Sequence, residues 1–262
     1  MFVKANGIEV HYRLEGSPSA PVVTLSNSLA TNLSMWEPQM EPLLRSYRVL
    51  RYDTRGHGQT EAPEGPYSFD MLAADVRALL SALGIQKTHF LGISMGGMIG
   101  QKLATETSEL LHTAILCDTT SRIPPEARPI WDERIRTALE KGMEQHAAPT
   151  LERWFTPPFR KSHPEVMERF AAMIRATKPA GYVGCAHAIR DLDFSDRLQR
   201  ISVPTLIIAG ADDPSFPIPV SEEMQRKIKG SKLVVLHSAA HLPCVEQGER
   251  FNEAVLSFLK GK

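Results

Sequence analysis

Thr88-His89-Phe90-Leu91-Gly92-Ile93-Ser94-Met95-Gly96-Gly97 joins two different textures of sequence. Residues 88–91 form a short apolar run of strand type, and residues 95–105 continue with helical spacing. Between them lies G-x-S-x-G. A strand that turns sharply into a helix leaves little room around the serine. The glycines two residues before and after it relieve that crowding, and the turn holds Oγ of Ser94 above the sheet edge. The helix N-terminus behind it brings free N–H groups and the positive end of a dipole, which suit a developing oxyanion. Gly97 allows close helix–strand packing. The stretch does not spell the G-x-G-x-x-G of a dinucleotide site, and no Walker A sequence occurs in the chain.

The same alternation extends outward. Strands are expected over 8–12, 22–25, 47–52, 113–117, 205–209 and 233–236. Helices are expected over 69–83, 221–229 and 246–259. Strands that are apolar throughout, alternating with helices, imply a mostly parallel sheet covered on both faces. From about 121 to 191 the texture changes. Strand-like runs vanish, prolines punctuate helical runs, and Trp131 and Trp154 both fall here. This stretch reads as an inserted helical lid. Reactive groups in such sheets collect at the carboxyl ends of the strands.

Composition narrows the class of partner. The 262 residues carry 30 Lys+Arg and 30 Asp+Glu, a formal net charge of zero, and 42% are hydrophobic. That is ordinary globular composition, long enough to bury a full core. The balance of charge gives no basic footprint for nucleic acid and no attraction to an anionic membrane. No apolar leader or membrane-spanning run is read, so a cytoplasmic protein is expected. Cys117, Cys185 and Cys244 are sparse and far apart, which suits buried or semi-buried free thiols rather than disulfides or zinc. No cofactor and no metal are expected.

A serine hydroxyl needs a base, and nine histidines are available. His241 is best placed, in the loop after the last strand. His57 is a rival, but Arg55-Gly56-His57-Gly58 reads better as a tight structural turn. His11, His89 and His112 read as packing or surface residues. His146, His163 and His187 in the lid read as surface residues rather than substrate contacts. His237 ends a strand close to His241 and is the weaker candidate of the two. The base in turn needs an acid to fix its tautomer. Gly210-Ala211-Asp212-Asp213 supplies two candidates, and Asp213 is preferred because a glycine turn must precede the acid before it faces the histidine. Asp118, after the strand at 113–117, is a third. The loop Ser26-Asn27-Ser28-Leu29 follows the strand at 22–25 and should give the second oxyanion donor, so the N–H groups of Leu29 and Met95 are the expected pair.

With these residues in place, the whole chain resembles the α/β-hydrolase superfamily, and more narrowly the 3-oxoadipate enol-lactone hydrolases. The stretches that carry the resemblance are Leu25-Ser26-Asn27-Ser28-Leu29, Leu33-Ser34-Met35-Trp36, Arg51-Tyr52-Asp53-Thr54-Arg55-Gly56-His57-Gly58, Ala62-Pro63-Glu64-Gly65-Pro66-Tyr67, Gly92-Ile93-Ser94-Met95-Gly96-Gly97 and Arg153-Trp154-Phe155-Thr156. The order Ser94, Asp213, His241 is that of the superfamily. The resemblance implies an α/β fold with a mostly parallel eight-stranded sheet, a core of residues 1–122 and 191–262, and a lid of 123–190. It also implies hydrolysis of an enol lactone. The loops at 213–219 and 242–244 depart from the family pattern.

The expected partner is therefore a small ester or lactone. A substrate that carries a carboxylate would need a cation or a cluster of donors, and the lid offers arginines from Arg122 to Arg190, among which the sequence does not choose. Trp131 and Trp154 are candidate lining residues. A broad carboxylesterase or perhydrolase of the same fold is the alternative, as is a ligand receptor that retains the triad.

Overall fold

The computed structural model describes residues 1–260. Eight strands form one sheet: β1 (Phe2–Ala5), β2 (Ile8–Glu15), β3 (Val22–Ser26), β4 (Arg48–Tyr52), β5 (Thr88–Ile93), β6 (Leu111–Cys117), β7 (Thr205–Gly210) and β8 (Lys232–Leu236). Their spatial order is β1-β2-β4-β3-β5-β6-β7-β8. β1, β2 and β4 pair antiparallel, and every pair from β4 onward is parallel. The strands read as wholly apolar are those the sheet buries on both faces: every residue of β5 and of β7 is buried.

The helices of the core are α1 (Glu37–Leu44), α2 (Phe69–Ala82) and α3 (Met95–Glu106), and later in the chain α9 (Ile218–Lys227), α10 (Pro243–Glu246) and α11 (Gly248–Leu259). They cover both faces of the sheet. α3 packs on β5, β6 and α2, whereas α1 packs on β4 and α11. Oγ of Ser68 caps α2 by accepting the N–H of Met71. Two helices differ from their sequence reading. The one expected over 221–229 begins at Ile218, because Pro219 is well placed in a first turn. The closing helix is broken at Gln247, whose φ of −125° and ψ of 45° are not helical.

Between β6 and β7 the chain forms α4 (Arg128–Lys141), α5 (Glu144–Trp154), α6 (Pro157–Ser162), α7 (Pro164–Ala176) and α8 (Pro179–Arg190). Several of the prolines that punctuate this stretch mark helix starts: Pro157, Pro164 and Pro179 each open a helix, where the missing N–H costs nothing, whereas Pro149 lies inside α5. α4 packs on α8 and α5, and α7 on α5 and α6. The chain leaves and rejoins the sheet at one place. Arg122 and Asp193 form an antiparallel bridge, the Ile123 N–H donates to Leu192 O at 3.0 Å, and the Phe194 N–H donates to Ser121 O at 2.7 Å.

Parallel strands put their carboxyl ends on one edge. Leu29 follows β3, Ser94 follows β5, Asp118 follows β6, Asp213 follows β7 and His241 follows β8.

Candidate active site

Ser94 sits at φ 54° and ψ −116°, a conformation that few side chains adopt. Such a residue carries strain of roughly 1–3 kcal/mol and persists only when its surroundings hold it. Three hydrogen bonds do so here. Its N–H donates to Cys117 O at 2.9 Å, and its carbonyl accepts the Met98 N–H at 3.0 Å and Oγ1–H of Thr119 at 2.8 Å. The flanking glycines are required by space. A Cβ on Gly92 would lie 2.2 Å from Gly96 O, and one on Gly96 would lie 2.1 Å from Ser26 O.

Nδ1 of His241 lies 2.8 Å from Oδ2 of Asp213, and both residues are buried. Oδ1 of Asp213 accepts the Ser215 N–H at 2.7 Å. With Nδ1 turned to Asp213, Nε2 is the ring nitrogen of His241 left for other contacts. The neighbouring Asp212 is exposed; its N–H is fixed to Ala239 O at 2.9 Å, which sets the turn that sends Asp213 inward. Asp118 does not pair with a histidine. Its Oδ1 accepts the Gly210 N–H at 2.7 Å, and its buried Oδ2 has no partner among the described residues. Burial, and then the charge of Asp213, push its carboxyl well above the usual range, which favours its neutral form.

The loop after β3 is held by its polar side chains. Nδ2 of Asn27 donates to Tyr52 O at 2.9 Å, and its Oδ1 accepts Nε1–H of Trp36 at 2.8 Å. The Asn27 carbonyl accepts the Gly96 N–H at 3.0 Å, joining this loop to the turn at Ser94. Among the described residues, neither the Leu29 nor the Met95 N–H donates to a protein group, which leaves both free for an oxyanion. His57 supports this loop from beneath: the Ala30 N–H donates to its Nε2 at 3.0 Å, and its Nδ1 lies 3.1 Å from Arg55 O. That is the structural turn expected of it. Burial lowers its pKa.

Ser94, His241 and Leu29 face one cavity of about 450 Å³. Trp131 of α4 and Trp154 of α5 both line it. So do Arg122, Arg134 and Arg153, which narrows the choice that the sequence left open. Arg134 and Arg153 form no salt bridge among the described residues. The Arg134 guanidinium lies 4.6 Å from the centre of the Trp131 ring, and Nη2 of Arg153 donates to Oγ1 of Thr150 at 3.0 Å. Burial lowers the pKa of both, that of Arg153 to about 10 with a further push from the Arg134 charge. Tyr182 of α8 joins them in the wall. His146, expected at the surface, is buried instead, its ring 4.7 Å from that of Tyr182. The helices of this stretch pack on one another, and His146 is buried among them. Trp131 and Arg134 are three residues apart on one helix and so share a face.

The alpha/beta hydrolase fold family matches residues 21–247. This chain belongs to that family. It is 40% identical over 256 residues to 3-oxoadipate enol-lactonase 2 of Acinetobacter baylyi, a match that covers 98% of this chain and 95% of the relative. The enol-lactonase structure from Burkholderia xenovorans LB400 is 38% identical, with a TM-score of 0.96 over 99% of this chain and 100% of that one. A putative carbamate hydrolase, RutD of Rhizobium rhizogenes, is 31% identical over 265 residues, covering 97% of this chain and 98% of the relative. The α/β-hydrolase is thus an enzyme of the enol-lactonase-like group. No helix among its described residues is long and apolar enough to cross a membrane.

Proposed function

We propose that this α/β-hydrolase cleaves an anionic lactone, 3-oxoadipate enol-lactone, through a Ser94–His241–Asp213 triad. Residues 123–190 act as the lid over that site. Nε2 of His241 takes the proton of Ser94 as Oγ attacks the ring carbonyl, and the N–H groups of Leu29 and Met95 receive the oxyanion. The ring C–O bond then breaks. The enolate is a good leaving group and takes a proton to become the 3-oxo group. Water attacks the acyl-enzyme, His241 takes its proton, and the second carboxylate is released with Ser94 restored.

The observation that carries this reading is the presence in one cavity of Ser94, of His241 with Asp213 behind it, and of three guanidiniums that form no salt bridge among the described residues, Arg122 and the neighbouring pair Arg134 and Arg153. A cation pair in a half-buried wall favours an anion, and a planar guanidinium suits a carboxylate. The lactone retains one carboxylate while the other is locked in the ring. The 40% identity to an enol-lactonase supports the same choice. A carbamate, whose only carboxyl is the reacting one, would leave the arginine pair nothing to hold.

The test compares kcat/KM for 3-oxoadipate enol-lactone with that for neutral short-chain esters. A preference of about 100-fold or more for the lactone is expected. Equal values would replace this reading with that of a broad carboxylesterase, and a single slow burst on a 4-nitrophenyl ester with that of a receptor.

A further inference from the structure

Glu246 ends α10, five residues after His241, and its carboxylate bridges two parts of the chain. Oε2 accepts the Ala240 N–H at 2.6 Å. Oε1 accepts both the N–H and Oγ1–H of Thr156, each at 2.8 Å. On the other side of the histidine, the Leu242 N–H donates to Trp154 O at 3.2 Å. Both neighbours of His241 are therefore fastened to the segment Trp154–Thr156, one directly and one through Glu246. That segment directly follows Arg153, and both Arg153 and the Trp154 ring line the cavity.

We propose that Glu246 is a positioning residue that ties the end of α5 to the loop carrying the base, so that the cavity wall and the imidazole of His241 move as one unit. This rests on the reading of His241 as the base. A carboxylate is the group the position requires, because it offers acceptors on both sides. A carboxamide keeps one side of the bridge and presents N–H to N–H on the other. On a neutral ester, which does not call on Arg134 or Arg153, loss of the tie is read through the placement of the base alone. That loss therefore falls on turnover rather than on binding.

The experiment measures kcat and KM on 4-nitrophenyl acetate, with a thermal melt of each protein, for the wild type, Ser94→Ala, Glu246→Gln, Thr156→Val and the double variant Glu246→Gln/Thr156→Val. Glu246→Gln is expected to lower kcat about tenfold or more with KM within twofold. Thr156→Val removes one of the three hydrogen bonds and should show a smaller loss of the same kind. The double variant should be no worse than Glu246→Gln alone, because both changes cut one bridge. A kcat for Glu246→Gln within twofold of wild type, a loss carried by KM, or losses that multiply in the double variant would overturn the proposal. If Glu246→Gln does not fold, Thr156→Val decides alone, and an unchanged kcat there overturns it. Ser94-dependent turnover that Glu246→Gln leaves intact sinks this proposal and spares the triad. Turnover that Ser94→Ala leaves intact sinks the triad and this proposal with it.

Discussion

Asp213 gives its two carboxylate oxygens to different partners: Oδ2 lies 2.8 Å from Nδ1 of His241, and Oδ1 accepts the Ser215 N–H at 2.7 Å. Both contacts require an acceptor. Asp213→Asn must turn an NH₂ toward one of them, and toward His241 it would force the wrong tautomer. The expected loss in kcat is about 10³–10⁴-fold. Asp118→Asn keeps the acceptor for the Gly210 N–H and should stay within about threefold of wild type. Steady-state kinetics on a 4-nitrophenyl ester checks both, and the reverse ranking would move the acid to Asp118.

The neutral state of Asp118 has its own signature. Its carboxyl is raised in the folded protein, so the folded state binds more protons than the unfolded state once pH exceeds the ordinary carboxylate value near 4. Stability from this group is present at low pH and falls as pH rises toward its folded pKa. Asp118→Asn takes no part in that titration. Its melting temperature relative to wild type should therefore rise between about pH 4 and pH 7, as thermal melts across that range would show. A difference that stays flat would mean that Asp118 is ionised.

Arg153 should govern the anionic substrate alone. One charge-assisted hydrogen bond contributes about 1.5–3 kcal/mol, which converts to roughly tenfold to 150-fold in binding. Arg153→Met should raise KM for the enol-lactone by that order and leave KM for 4-nitrophenyl acetate within about threefold. Equal effects on the two substrates would show that the arginine serves packing.

His57 makes the loop after β3 sensitive to acid. Its Nε2 can accept the Ala30 N–H only while the ring is neutral. Burial depresses its pKa, so the folded state binds fewer protons than the unfolded one. Its contribution is present above the unfolded value near 6.5 and is lost as pH falls below it. His57→Gln keeps an acceptor but takes no proton. Between about pH 7 and pH 5 its melting temperature should fall less than that of wild type, and a parallel fall would contradict the assignment.

Much of this was legible in the sequence because the signals were local. The β5 strand is a short apolar run and the turn at Ser94 is a fixed spacing of glycines, so both could be read without knowing any distant contact. His241 followed from its place after the last strand. The choice of Asp213 over Asp212 was harder, since it depends on the Asp212 N–H meeting Ala239 O across two loops. Arg134 and Arg153 were not legible as a pair. They reach one wall only because α4 and α5 pack together, and the surrounding arginines have the same composition and spacing. His146 was misread as a surface residue for a related reason: its burial comes from the packing of α5 against Tyr182 of α8, which no local pattern reports.

The clasp between Ser121–Ile123 and Leu192–Phe194 has a consequence for how such a protein can diversify. The outgoing and returning chain meet before any of α4 to α8 begins. The covalent joints of the stretch thus lie at one place, while its other ties to the core, such as the Tyr67 N–H on Gly184 O and the Leu242 N–H on Trp154 O, are hydrogen bonds. A graft of different length or content could join there without shifting β6 or β7, but it would have to supply anew the ties that Trp154 and Thr156 make to the loop of His241.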